Sequence, residues 1–432
     1  MKDEKRSREK RRRRRVRNQI LAYLTLIVIV MLIVAAGYFG VRGIIRYVRN
    51  YNEKVNRVIE EAESSVAAEL EGDGNDMPII QEESSPVVDN EGYLPDNVED
   101  PLDELIESLL NDMSTEEMVA GMFMVTPESI TGVGTVVKAG DGTKTAITEN
   151  PVGGIIYSAK NFQSAEQFTE MMTSTKGFSK YPIFTAVKAE CGASPGYGID
   201  ATAKASEITD EDGVRQAYGG IASKLAGYGI NMNLAPVSET VSEDGDASLQ
   251  GRTFGSDAAV AAPLVNAAVQ SMQEAGVSAA LQKFPGTSAG TKTLEELKNS
   301  ELVIYDMAIK GGVDCIMVSH TKASGVTGDD TPSSLSAVMI QDVLRNTLGF
   351  NGVVMTDYLS DSAVTGSYSP AEAAVAAVQA GADILLDPAD YRQAYEGILQ
   401  AVTDGTITKE RIHESIYRIY RVKYKDVYKR QV

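Results

Sequence analysis

Apolar residues fall into two patterns along this chain. From Ile20 to Val41 they run for 22 residues without a charge, ILAYLTLIVIVMLIVAAGYFGV. As a helix rising about 1.5 Å per residue, that run spans roughly 33 Å, enough to cross a bilayer. After Asp100 the apolar runs shorten and repeat: MVAGMFMV (118–125), VGGIIY (152–157), YPIFTAV (181–187), GINMNLAPV (229–237), VSAALQKF (277–284), VDCIMVSH (313–320), NGVVMTD (351–357) and GADILLD (381–387). Short continuous apolar runs between helix-like segments predict a parallel sheet covered on both faces. Eight such units match an α/β fold of the (β/α)8, TIM-type barrel kind better than an open sheet. Helix starts are legible as well, as at Ser369-Pro370-Ala371-Glu372, where a Ser cap precedes Pro in the first turn.

Between the two patterns, residues 42–70 are helix-permissive and predict a short stalk, while 71–100 are rich in acids, Gly, Pro and Ser and predict a disordered, flexible linker. The barrel is expected over 101–425. Charge sharpens the picture. Residues 1–17 carry eleven Lys/Arg against three Asp/Glu, a net of +8 within a whole-chain charge of −19. A basic tail (1–19) before an apolar 22-mer predicts a transmembrane anchor (20–41) with a cytoplasmic amino terminus and an extracytoplasmic barrel. The run is longer than the roughly 7–15 apolar residues of a signal peptide. The expected place is therefore the bacterial cell membrane, crossed once. The acidic remainder is a poor partner for nucleic acid.

Barrel enzymes carry their chemistry at the C-terminal ends of the strands. The polar residues predicted there are Lys188 and Glu190 after strand 3, Glu239 after strand 4, Gln282 and Lys283 at the end of strand 5, His320 after strand 6, Asp357 after strand 7 and Asp387 after strand 8. Singly each reads as a cap or a rim charge; together they predict a polar mouth. His320 and His413 are the only histidines, so no His-based metal cluster is expected, and no cofactor motif is present. The Gly-rich 132–142 stretch lacks the Gly-Lys-Ser/Thr ending of a phosphate loop. Cys315 falls inside strand 6 and Cys191 just past strand 3, on nearly opposite sides of the barrel, and they are not expected to pair.

From about Leu102 to Lys425 the chain resembles the N-terminal barrel domain of family 3 glycoside hydrolases, most closely the single-domain bacterial β-N-acetylhexosaminidases that trim cell-wall sugars. The segments that carry this are MSTEEMVAGMFMV, VGGIIYSAKN, NMNLAPV, GRTFGSD, KFPG, IMVSHTKAS, LRNTLGFNGVVMTDYLS and AGADILL. The resemblance implies that Asp357 is the nucleophile of a retaining double displacement, and that Arg252 and His320 lie near the sugar. It implies a cell-wall glycan or peptidoglycan fragment as partner.

Several family positions are changed. Where relatives read Lys-His-Phe-Pro-Gly-His-Gly, this chain reads Gln282-Lys283-Phe284-Pro285-Gly286-Thr287-Ser288, and the following loop has no His to serve as acid/base. Glu295 and Glu296 are the only carboxylates of that loop. The family's Asp-x-Glu-Gly-Gly is Lys188-Ala189-Glu190-Cys191-Gly192 here, so an acceptor of sugar hydroxyls has become a cation that only donates. The usual Asp after strand 4 is Glu239. Two expectations follow: a pseudoenzyme that keeps the barrel as a binding module, or an active hydrolase whose donor has moved to Glu295 or Glu296 or belongs to a further domain. Residues 426–431 read DVYKRQ, the in-frame translation of a transposase end used in sequencing libraries, so 426–432 are expected to be an artefact and the natural chain to be interrupted near Lys425.

Overall fold

The computed structural model describes residues 101–241 and 246–429. The expected basic tail, anchor, stalk and linker lie outside the described residues. Among the described residues, no helix is long and apolar enough to cross a membrane.

Each of the eight apolar runs contains a strand: β1 (Phe123–Val125), β2 (Gly154–Ile156), β3 (Phe184–Val187), β4 (Met232–Asn233), β5 (Ser278–Phe284), β6 (Cys315–Val318), β7 (Val353–Thr356) and β8 (Leu385–Leu386). All pair in parallel in the order β7-β6-β5-β4-β3-β2-β1-β8. A bridge between Met355 and Ile384 brings β7 back to β8, which nearly closes the barrel. The helices Ala165–Phe178, Glu211–Tyr228, Ala258–Glu274, Leu302–Lys310, Val338–Thr347, Pro370–Ala380 and Tyr391–Thr403 follow β2 to β8 in turn. Nearly every strand residue is buried, Lys283 being the exception, because the interior packs one face and this helical ring the other.

The first run differs from expectation in its N-terminal half. Ser114 and Glu117 form a reciprocal capping box that starts a helix over Thr115–Gly121, and only Phe123–Val125 is extended. Two orphan backbone donors satisfied at once outweigh the strand-like composition. The predicted cap at Ser369 is present, with Glu372 completing its box.

The N-terminal ends of the strands hold a buried charge cluster. Asp383, fully buried before β8, accepts hydrogen bonds from the Val354 N–H (2.9 Å), Arg345 (2.7 Å), Ser415 (2.7 Å) and Arg418 (3.3 Å), with Arg411 at 3.5 Å. Burial pushes its carboxyl pKa up, but the three guanidinium groups hold it below the usual range. Lys423 of the last helix (Lys409–Lys429) sets its buried ammonium over the rings of Phe184 (4.9 Å) and Tyr420 (4.7 Å) with no hydrogen-bond partner among the described residues. Burial pushes its pKa down to about 7. Cys191 and Cys315 are both buried and free.

Candidate active site

The C-terminal ends of β3, β5 and β7, with Arg252 from the loop after β4, bring five charged groups together, and local backbone geometry explains how. After β3, the side chain of Asn233 accepts from the Ala189 N–H (2.9 Å) and donates to the Ala189 carbonyl (2.8 Å). That grip holds the backbone between Lys188 and Glu190, whose carboxylate and ammonium stand 3.7 Å apart. Glu190 then takes a two-pronged contact from Arg252, Nε at 2.7 Å and Nη2 at 2.8 Å, and a third hydrogen bond from the Gln282 amide at 2.9 Å. Burial raises the Glu190 pKa while Arg252, Gln282 and Lys188 lower it, and the net direction is down. The planar guanidinium fork suits a carboxylate in a way an ammonium does not.

On β5 the alternation of side chains breaks. Gln282 and Lys283 are adjacent and would face opposite sides of a regular strand. Lys283 instead has φ +81°, and the β5–β6 register shifts between Leu281 and Phe284. Gln282 therefore reaches Glu190 on one side while Lys283 reaches Asp357 on the other, its ammonium 3.7 Å from the carboxylate. Such irregularities re-aim side chains beside functional sites. Asp357 follows β7 directly and also accepts the Tyr358 N–H at 2.9 Å.

His320 is near Asp357 in the chain's architecture but is engaged throughout its ring. Its Nε2 lies 2.9 Å from the Tyr358 carbonyl, which can only accept, and its Nδ1 lies 2.7 Å from the Ser334 hydroxyl. It braces the turn after Asp357. Glu239 is buried and accepts from both the N–H (2.6 Å) and hydroxyl (2.9 Å) of Thr287; burial raises its pKa. Glu301, which the sequence did not single out, is buried too and holds Ser288, Lys292 and Ser300. These two carboxylates fasten the β5 loop at Thr287, Ser288 and Lys292. A Gly325 N–H to Gly290 carbonyl bond (3.2 Å) adds a third tie, and a Cβ on Gly325 would meet the Thr291 carbonyl at 2.2 Å.

Glu295 and Glu296 are not brought to Asp357. Both lie in the short helix Leu294–Lys298, where Glu296 completes a capping box on Thr293 and Glu295 meets Asn299 at 3.4 Å. Asp387 follows β8, next to β7, with φ +40°; its carbonyl accepts the Ser360 N–H (3.1 Å) and its carboxylate the Thr126 N–H (3.4 Å), and burial raises its pKa. Among the described residues, no set of three His, Cys, Asp or Glu side chains is arranged to hold a metal ion. Asn233, Thr287, Glu301 and Tyr358 were missed from sequence. Only Asn233 left a signal, as a polar residue inside an otherwise apolar run.

A TIM-type barrel whose mouth presents a strand-7 aspartate among fixed polar groups defines the class of this molecule. The description "Glycosyl hydrolase family 3 N terminal domain" matches residues 114–422, and the chain belongs to that family. It is 29% identical over 273 residues to a beta-hexosaminidase of Tolumonas auensis (57% of this chain, 78% of the relative). It is 27% identical over 298 residues to the beta-N-acetylglucosaminidase/beta-glucosidase of Cellulomonas fimi, covering 63% of this chain but about half, 52%, of that protein. The structure of a family 3 beta-N-acetylglucosaminidase from Paenibacillus sp. str. FPU-7 superposes with a TM-score of 0.67 at 29% identity, covering 73% of this chain and 63% of that one.

Proposed function

We propose that the chain is a single-pass bacterial membrane protein whose extracytoplasmic barrel engages cell-wall glycan or peptidoglycan fragments, β-N-acetylhexosaminidase-like in form and with hydrolysis lost or much reduced. The surroundings of Asp357 carry this reading. A retaining hydrolase needs a second group, about 5–5.5 Å from the nucleophile, to protonate the leaving oxygen. Among the described residues, Asp357 is met by the Lys283 ammonium and the Tyr358 N–H, while the two candidate donors of the strand-5 loop are turned to their own helix, Glu296 to Thr293 and Glu295 to Asn299. The His320 ring is fully engaged, and Glu296 is occupied as a helix cap.

Sugar alkoxides leave only with a proton, whereas acidic phenols leave without one. The full chain is therefore expected to turn over nitrophenyl β-N-acetylglucosaminide slowly, to lose that activity with Asp357→Asn, and to leave a wall-derived disaccharide intact. A second reading, an active retaining β-N-acetylhexosaminidase, is favoured by the hydrolase names of the relatives. Efficient disaccharide cleavage that disappears with Glu295→Gln or Glu296→Gln would establish it in place of the first.

The anchor rests on the +8 tail before an uncharged 22-mer. External protease on intact cells is expected to release the barrel by cutting within 71–100. Complete protection while other surface proteins are digested would defeat the topology.

A further inference from the structure

Two ammonium groups at the mouth have donors to spare. Lys188 and Lys283 each carry three N–H donors. Among the described residues neither makes a hydrogen bond; each has one ion pair, to Glu190 and Asp357 respectively, both at 3.7 Å. The acids do not absorb them. Glu190 already accepts three hydrogen bonds from Arg252 and Gln282, and Asp357 takes the Tyr358 N–H. Both lysines reach solvent, their side chains 39% and 26% exposed. They also feel one another: burial lowers the Lys188 pKa, Glu190 opposes this, and Arg252 and Lys283 add repulsion.

Neither lysine is there by slack. The Asn233 grip on Ala189 sets Lys188, and the left-handed backbone at Lys283, uncommon for a side chain of this size, turns that ammonium inward. Strain of this kind persists where the surrounding structure holds it and gathers at ligand sites.

Resting on the glycan reading above, we propose that the ligand is an acidic sugar whose carboxylate sits between Lys188 and Lys283. A carboxylate there accepts a charge-assisted hydrogen bond from each ammonium and offsets their mutual repulsion. A neutral hydroxyl fills one donor and offsets nothing. A monoanion fits better than a phosphate dianion, because Glu190 and Asp357 stand 3.7 Å from the same two ammonium groups and repel added negative charge.

The test is calorimetric titration of the detergent-solubilised full chain with N-acetylglucosamine, sodium N-acetylmuramate, sodium glucuronate, glucose 6-phosphate and sodium lactate. The carboxylate sugars are expected to bind about tenfold tighter than N-acetylglucosamine, the equivalent of one charged hydrogen bond. That advantage should shrink with added salt, vanish in Lys188→Gln and Lys283→Gln, and largely survive in Lys188→Arg. Should a Gln variant fail to fold, the salt dependence of the unaltered chain and the Lys188→Arg result decide. Equal affinity for neutral and acidic sugars overturns the proposal and leaves the glycan reading standing. Lactate binding as tightly as the acidic sugars, with Lys188 required and N-acetylglucosamine inert, keeps the anion site and overturns the glycan reading. Preference for glucose 6-phosphate overturns the choice of carboxylate, and no binding by any of the five overturns both readings.

Discussion

Asp383 at the N-terminal ends of the strands and Glu190 at the mouth are each held by cations, yet their neighbourhoods are built differently. Asp383 is fully buried, and Arg345, Arg418, Ser415 and the Val354 N–H saturate it. Its partners are guanidinium groups tied elsewhere too: Arg345 donates to the carbonyls of Phe350 and Gly352, Arg411 to those of Val378 and Ala382. Glu190 keeps one such partner, Arg252, beside Lys188, and Lys283 stands at Asp357; among the described residues neither lysine makes a hydrogen bond. The first cluster joins β7, β8 and two helices into one body. The second leaves donors facing solvent, as a binding surface requires. The contrast follows the usual division of this fold, stability at the N-terminal ends of the strands and chemistry at the C-terminal ends.

Removing each acid measures that difference. Asp383→Ala leaves guanidinium charge buried and unpaired and is expected to cost about 3–5 kcal/mol in urea unfolding. Glu190→Gln is expected to cost less, about 1.5–3 kcal/mol, since its cations reach water. Both carboxyls are held below their ordinary pKa, so their stabilisation is present above the unfolded-state value, near pH 4, and is lost as pH falls through the folded-state value. Loss of acid sensitivity should accordingly be greater for Asp383→Ala. Equal costs for the two substitutions would erase the distinction between the ends of the barrel.

The smallest expected effect has the opposite sign. The Lys423 ammonium is buried with no hydrogen-bond partner among the described residues, and its pKa is lowered to about 7. Between that value and the roughly 10.5 of an unfolded lysine, the unfolded chain binds the extra proton, so this residue costs stability at neutral pH and less as pH rises. Lys423→Met is expected to raise Tm by about 2–4 °C at pH 7, the gain fading toward pH 10.5. A gain independent of pH would mean that packing, not charge, is responsible.

These clusters also show what a sequence carries. All eight strands were legible because burial on both faces leaves continuous apolar runs, and the residues just past them marked the mouth. The start of the first run misled because a capping box depends on two polar residues, Ser114 and Glu117, outside the apolar stretch. The Asp383 cluster was missed because its members are far apart in the chain. Only the spacing of Arg411, Ser415 and Arg418, one face of the last helix, hinted at it. Lys283 was named as a mouth residue, but its turn toward Asp357 depends on a backbone angle that no side-chain pattern encodes.

The fastened β5 loop has a consequence for time rather than for energy. Thr287, Ser288, Gly290 and Lys292 are tied before any ligand arrives. In barrels that close a loop over substrate, the loop's excursion on the microsecond-to-millisecond scale can set the pace of turnover. Here that segment is already tied in the unliganded chain, so an arriving ligand meets a finished wall. Association should then follow a single exponential that is linear in ligand concentration, with no plateau from a waiting step.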